Sequence, residues 1–345
     1  MKLFRTYLIA DLNEVRKITS KELGGARFVL KPEPTNTFWE SKDGKSSSQF
    51  STPRELDTVQ EDEILQKEFV IESETEELAE DLLSVVHGGM LLAYPEPSLT
   101  SNLFFVSEVK EEYEKFFRQL PFTNRFKKLE NIGFGCIVAN QLFKDKKAVY
   151  AIEKYKVSLE LASFRPHSID PRYGQYFEHY DLKRQFHTRA AFAITSAFSV
   201  IEELGLEVRS SAQKPRFKNK VTGEWNPIVL KDIISRLKNA NIESDKTFDW
   251  VYRGTETRIE QEIKPFFGFD SVWTTYGEEV RDKTLTYPEA IHNASYLRNF
   301  ITSHKFNELT QFISPYDVYN VQALARNLIL LKYKLWDVMM EKNSS

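Results

Sequence analysis

Cysteine is almost absent from the chain, Cys136 being the single one. This excludes an internal disulfide framework and a CxxC-type metal site, and it suits a reducing compartment. Glycine and proline are scarce at 13 each, which argues against turn-dense all-β architectures. No apolar run approaches the roughly 18 residues that a bilayer span needs. The amino terminus, Met1-Lys2-Leu3-Phe4-Arg5, lacks the apolar stretch and cleavage site of a signal peptide. Net charge is also small: 47 Lys+Arg against 50 Asp+Glu leave −3 and a pI near 6.2. A globally basic nucleic-acid coat protein is thereby excluded, and any nucleic-acid contact must be local. A P-loop is missing, and Ile132-Gly133-Phe134-Gly135-Cys136 is a lone GxG without the third glycine of a dinucleotide fingerprint. His87, His167, His179, His187 and His292 show no metal-ligand spacing, so neither a metal nor a cofactor is assigned. The expectation is a soluble cytoplasmic protein without membrane contact.

What is present fills a core. The chain has 345 residues, 41% of them hydrophobic and 26 of them phenylalanine; that length suits two domains, mostly helical. The first, residues 1–165, reads as α+β. Tyr7–Ala10, Ala26–Leu30 and Ile64–Ile71 look like strands, and the polar stretch Glu40–Pro53 looks like a loop. Helices are expected over Thr75–Val86, Glu108–Gln119 and within Gly133–Leu161. Cys136, among Ile132, Phe134, Ile137 and Val138, reads as a buried, inert thiol. A boundary is expected at Phe164–Gly174, where Arg165-Pro166 and Asp170-Pro171 break any helix.

Residues 166–345 read as helical throughout, with an irregular insertion at about 243–282. His187–Leu204 carries Ala191, Ile194, Phe198 and Ile201 at helical spacing, and Gly205 follows as a left-handed terminator. Asn226-Pro227 opens a helix to Asn239 with a stripe of Ile228, Leu230, Ile233, Ile234 and Leu237. Thr286 and Glu289 form a capping box for a helix running to about Ser303. A last helix starts at Ser314-Pro315-Tyr316-Asp317, with Val321, Leu324, Leu328, Leu331, Leu335 and Val338 on one buried stripe.

The chemistry-bearing constellation is Arg298-Asn299 followed by His304, with five residues between the arginine and the histidine. Arginine binds phosphate oxygens bidentately and stays charged, and histidine moves protons near neutral pH; the pair therefore suits phosphodiester chemistry without a metal. A second pair of similar spacing, Arg172 and His179, straddles Gly174, so no rigid element would fix its geometry. The first pair sits at the end of a capped helix and ahead of a long terminal one. This pattern resembles the HEPN superfamily, helical bundles whose ribonuclease members carry R-x(4–6)-H near their last two helices; the resemblance covers roughly residues 187–341. It implies an all-α bundle that homodimerises and cuts RNA by attack of the ribose 2′-hydroxyl on the adjacent phosphate. On that resemblance His304 would move the proton, Arg298 would stabilise the phosphorane charge, and Asn299 would position substrate or arginine. Toxins and defence effectors of this type imply a regulatory first domain and a regulatory protein or phage-derived trigger as partner. Phe306 stands where the HEPN toxins paired with nucleotidyltransferase antitoxins have tyrosine, so modification of a hydroxyl there is not available to this chain.

Two further stretches bear on RNA. Val208–Gly223 holds Arg209, Lys214, Arg216, Lys218 and Lys220 with no acidic residue, and Phe217 lies among them, a composition that suits a phosphate backbone with one stacked base. Asp249–Arg258 is rich in aromatic residues and arginine, with Arg253 and Arg258 as candidate RNA contacts; packing of Trp250 as a structural plug is the alternative. Glu202-Glu203 reads as an exposed helix end, or as a group that orients a catalytic residue. The rival function is a non-catalytic helical module that dimerises or binds nucleotide or nucleic acid, with the Arg–His pair structural.

Overall fold

The computed structural model describes residues 1–11, 22–30, 37–41, 47–50, 63–95, 106–114, 127–128, 131–163, 184–219, 222–253, 271–275, 278–302 and 313–337. The chain divides into two compact units, residues 1–94 with 98–149, and residues 95–97 with 150–345. The expected break at Phe164–Gly174 lies outside the described residues. The fold is α+β, and helices outweigh strands among the described residues. None of those helices is long and apolar enough to cross a membrane.

The first unit is built on a seven-stranded sheet: β1 (Lys2–Asp11), β2 (Ala26–Leu30), β3 (Thr37–Ser41), β4 (Ser47–Phe50), β5 (Glu63–Ser73), β6 (Ser107–Glu108) and β7 (Lys127–Lys128). β5 is central. One edge pairs with β1, while the other takes β3 against residues 63–67 and β2 against residues 69–73. β6 extends β1 antiparallel, and β7 lies parallel to it. The strand-like runs of the sequence are all here: β2 keeps the expected bounds, while β1 and β5 extend beyond their apolar cores because ladder hydrogen bonds carry polar residues along. For the same reason Glu40–Pro53 is not simply a loop: Ser47–Phe50 pairs with β3 although its serines show no apolar alternation.

Helix α1 (Glu76–Ala93) is capped by Thr75, whose hydroxyl accepts from the Leu78 N–H at 3.2 Å. It does not stop at Val86 but runs through Gly88-Gly89, both buried, with Gly89 against a neighbour. That neighbour is α2 (Ile132–Leu142), which brings Gly135 onto Gly89 and holds Cys136 buried. The segment expected to be helical from Glu108 begins as a strand instead; helix is present at residues 111–114.

α3 (Lys146–Leu161) begins at the end of the first unit and continues into the second, where α4 (Arg184–Glu203), α5 (Pro227–Asn239), α6 (Tyr287–Tyr296) and α7 (Pro315–Lys332) follow. α4 ends as expected: Gly205 has φ +72°, and the Leu206 N–H reaches the Ile201 carbonyl at 2.9 Å. α5 is capped by Asn226, but its buried stripe is Val229, Ile233 and Leu237. Ile233 and Leu237 of the expected stripe are buried, whereas Ile228 is 61% exposed and Ile234 is also exposed, and Val229 takes the inward place at the start of the helix. α7 keeps its Ser314–Asp317 capping box, yet it buries more than a stripe, including Asn320 and Gln322. The Gln322 amide donates to the Ser158 and Ala162 carbonyls at 3.0 and 2.7 Å and so ties down the end of α3.

The expectation of an all-α second half is overturned. A hairpin joins β8 (Phe217–Asn219) to β9 (Glu224–Trp225), and an antiparallel sheet orders β10 (Thr247–Arg253), β12 (Glu278–Thr286) and β11 (Ser271–Thr275) with β12 central. Phe248, Trp250 and Val251 are buried, which makes Trp250 a core residue. The edge strand β10 gains a substitute partner, because Asn320 accepts from the Val251 N–H at 3.0 Å and donates to its carbonyl at 2.7 Å. β10 and β12 are strands because they pair with each other, against the helical trend of their flanks.

Candidate functional site around Arg298

α6 begins in the expected way, with the Glu289 carboxylate accepting from both the N–H and the hydroxyl of Thr286 at 2.8 Å. After Tyr296 the helix widens into a π segment, Leu297–Thr302, rather than continuing as α-helix. Such single-turn widenings occur frequently at functional sites, because they turn side chains off the regular face. The segment is anchored to α4: the Thr302 and Thr195 hydroxyls lie 3.1 Å apart, and Thr302 also donates to the Arg298 carbonyl at 3.3 Å.

Arg298 sits inside the π segment and is part-buried. Its guanidinium donates to Asn299 Oδ1 at 2.7 Å, lies 3.7 Å from the Glu202 carboxylate, and stands 6.0 Å above the Phe198 ring. Its Nε is buried and has no hydrogen-bond partner among the described residues. Three sides of the charge are thus fixed by an amide, an acid and a ring, while capacity to donate remains. Glu202, at the end of α4, orients Arg298, whereas Glu203 pairs with Lys154 at 2.7 Å.

Asn299 is held in turn. Its Nδ2 donates to the Ser295 hydroxyl at 3.1 Å, and the same oxygen accepts from Arg216 Nη2 at 3.1 Å. The other guanidinium nitrogen of Arg216 lies 2.7 Å from His292 Nδ1. Burial, and then the charge of Arg216, hold the His292 imidazole well below its ordinary pKa, so the ring is neutral and its Nδ1 accepts. Burial also lowers Arg216, to about 10, where it remains a cation at neutral pH. Among the described residues no carboxylate pairs with Arg216. A continuous set of contacts therefore runs from His292 through Arg216, Ser295 and Asn299 to Arg298 and Glu202. Two guanidinium groups face one carboxylate in it, so it carries an excess positive charge in a partly desolvated setting.

The remaining sequence candidates are distributed as follows. His304, Lys220 and Arg258 lie outside the described residues, as do Arg172, His179 and Phe306. Arg253 ends β10, and its side chain is not described. Lys214 is exposed, and Lys218 pairs with Glu224 at 3.1 Å. Arg216 turns inward from the hairpin. Phe217, half-buried, packs edge-on against Trp225 and His292, with ring centroids 5.2 and 4.9 Å away, so this ring is engaged in packing. Sequence reasoning missed Ser295 and His292 as members of the network. Their signal was available: His292, Ser295 and Asn299 recur at i, i+3 and i+7, which places them on one helix face.

No protein-family model, curated protein or solved structure matches this chain.

Proposed function

We propose that the second unit is a HEPN-type endoribonuclease that cuts RNA without a metal, works as a homodimer and serves as a toxin or anti-phage effector. The observation that carries this reading is the held guanidinium of Arg298. Asn299, Glu202 and Phe198 fix it, and its surroundings bear an excess positive charge suited to a phosphodiester. In the proposed reaction the ribose 2′-oxygen attacks the adjacent phosphorus while His304 moves the proton. The bond to the 5′-oxygen breaks, leaving a 2′,3′-cyclic phosphate and a 5′-hydroxyl. Arg298 bears the negative charge that builds on the phosphorane, and Asn299 keeps its guanidinium aimed. The first unit regulates when cutting occurs, in response to a regulatory protein or an infection-derived trigger.

A non-catalytic dimerisation or nucleic-acid-binding module is the rival reading, supported by the internal pairing of Arg298 with Glu202. Labelled transfer RNA and single-stranded RNA incubated with the protein in excess EDTA separate the two. The nuclease reading expects cyclic-phosphate ends, with cleavage reduced about 100-fold or more in Arg298→Ala and in His304→Ala. Equal cleavage by the wild type and His304→Ala would remove the histidine from the reaction. Growth on induction gives a second readout, since either substitution relieves the toxicity of a nuclease, whereas a binding module shows no rescue.

A further inference from the structure

We propose that Arg216 is a second phosphate-binding residue beside Arg298, so that the site holds two phosphates of one RNA strand at once. This rests on the reading of the Arg298 site as one that takes RNA.

The partners of Arg216 are unusual for a withdrawn cation. The β8–β9 hairpin turns the side chain inward onto α6, where its guanidinium meets His292 Nδ1 at 2.7 Å and the Ser295 hydroxyl at 3.1 Å. Both acceptors are uncharged. Among the described residues no carboxylate meets this guanidinium, although it stays a cation at neutral pH. A charge taken out of water without an opposite charge is costly to the fold. Arg236 of the same unit shows the ordinary solution: it is part-buried too, but Asp232 receives it at 2.7 Å and Glu207 lies 3.7 Å away. Two of the five N–H donors of Arg216 are engaged, which leaves three for an arriving anion. The side chain is part-buried rather than sealed.

The bridge to Arg298 makes that anion a phosphate of the same strand. Ser295 Oγ accepts from Arg216 and from Asn299 Nδ2 at 3.1 Å each, and Asn299 Oδ1 receives Arg298 at 2.7 Å. The two guanidinium groups therefore share one connector and lie roughly 11 Å apart at most. A single strand carries a negative charge at every nucleotide, so a phosphate held at Arg298 brings its neighbours within reach of Arg216. Lys218 of the same hairpin has no part in this bridge and pairs with Glu224 at 3.1 Å.

The salt dependence of binding tests the second contact, because each phosphate neutralised on a single strand steepens the plot of log K against log salt by about 0.7. A labelled 2′-O-methyl RNA oligonucleotide, which lacks the attacking hydroxyl, is titrated by fluorescence anisotropy between about 50 and 200 mM salt. Arg216→Met should reduce the slope by about 0.7 and weaken binding about tenfold, whereas Arg216→Lys keeps the slope. Where methionine disturbs the hairpin, Arg216→Gln, which retains a neutral donor, must show the same loss. A slope that neither neutral variant reduces overturns the proposal. So does a wild-type protein that binds no RNA, or polyglutamate that competes as well as the oligonucleotide at equal charge. Cutting of unmodified RNA with an unchanged slope keeps the nuclease and removes the second contact, while a reduced slope in a protein that cuts nothing keeps the contact and removes the nuclease.

Discussion

Gly135→Ala sets two physical effects of opposite sign against each other. Alanine is a better helix former than glycine by about 1 kcal/mol, so propensity alone makes the substitution stabilising at an interior position of α2. At this position the added Cβ would lie 2.4 Å from the Val86 carbonyl oxygen and 2.8 Å from Met90 Cγ. Met90 can move its flexible end, but the Val86 carbonyl belongs to the backbone of α1, so the helices must separate by roughly 1 Å to reach ordinary contact. Overpacking of this kind costs about 1–3 kcal/mol, at the upper end where backbone cannot yield. The surrounding contacts of Gly89 and Val138 are loosened by the same movement. The expected net effect is a loss of roughly 2 kcal/mol, which lowers the melting temperature of a unit this size by about 4–8 °C. Gly89→Ala should lose less, because its nearest contacts, Gly135 Cα and Val138 Cβ, are at 2.9 Å. Circular dichroism during thermal unfolding reads both variants beside the wild type. A Gly135→Ala protein as stable as the wild type, or more so, would refute the close crossing of α1 and α2.

Asp317 closes the α7 capping box while part-buried, and desolvation outweighs its bonds from Ser314 to push its carboxyl up to about 6. A carboxyl whose folded pKa lies above the unfolded value of 3.8 favours the folded state most below that value, and the benefit is lost as pH rises through about 6. This amounts to roughly 3 kcal/mol between acid and neutral pH, so Asp317→Asn should flatten that part of the stability–pH curve in urea titrations; an unchanged slope would contradict it. His292 is depressed by burial first and by Arg216 second, so in Arg216→Met its imidazole should titrate at a higher pH than in the wild type, as followed by NMR of the ring protons. A His292 titration unmoved by that substitution would dissolve the contact on which the network begins.

Much of the second unit was legible because its helix ends carry local chemistry. Asn226, Thr286, Ser314 and Gly205 each announce a terminus with a side chain or a backbone freedom that acts within a few residues. What was not legible depends on partners distant in sequence. β10 and β12 become strands because they pair with each other, and Asn320 completes the open edge from a helix about 70 residues away; no periodicity within Asp249–Arg258 states this. The same distinction separates Arg298 from Arg216. Asn299 is the next residue after Arg298, so its role as holder can be read locally, and Ser295 one turn earlier lies on the same face. Arg216 sits in a stretch where every charge is positive, and composition gives no reason to single it out from Lys214 or Lys218. Only the fold of the β8–β9 hairpin against α6 selects it. Phe217 and Trp225 bury their edges on His292, and this brings Arg216 within reach of the imidazole and Ser295 while Lys218 faces solvent and pairs with Glu224. The charge that a cationic segment lends to a site is therefore set by the one side chain that packing turns inward, not by how many cations the segment holds.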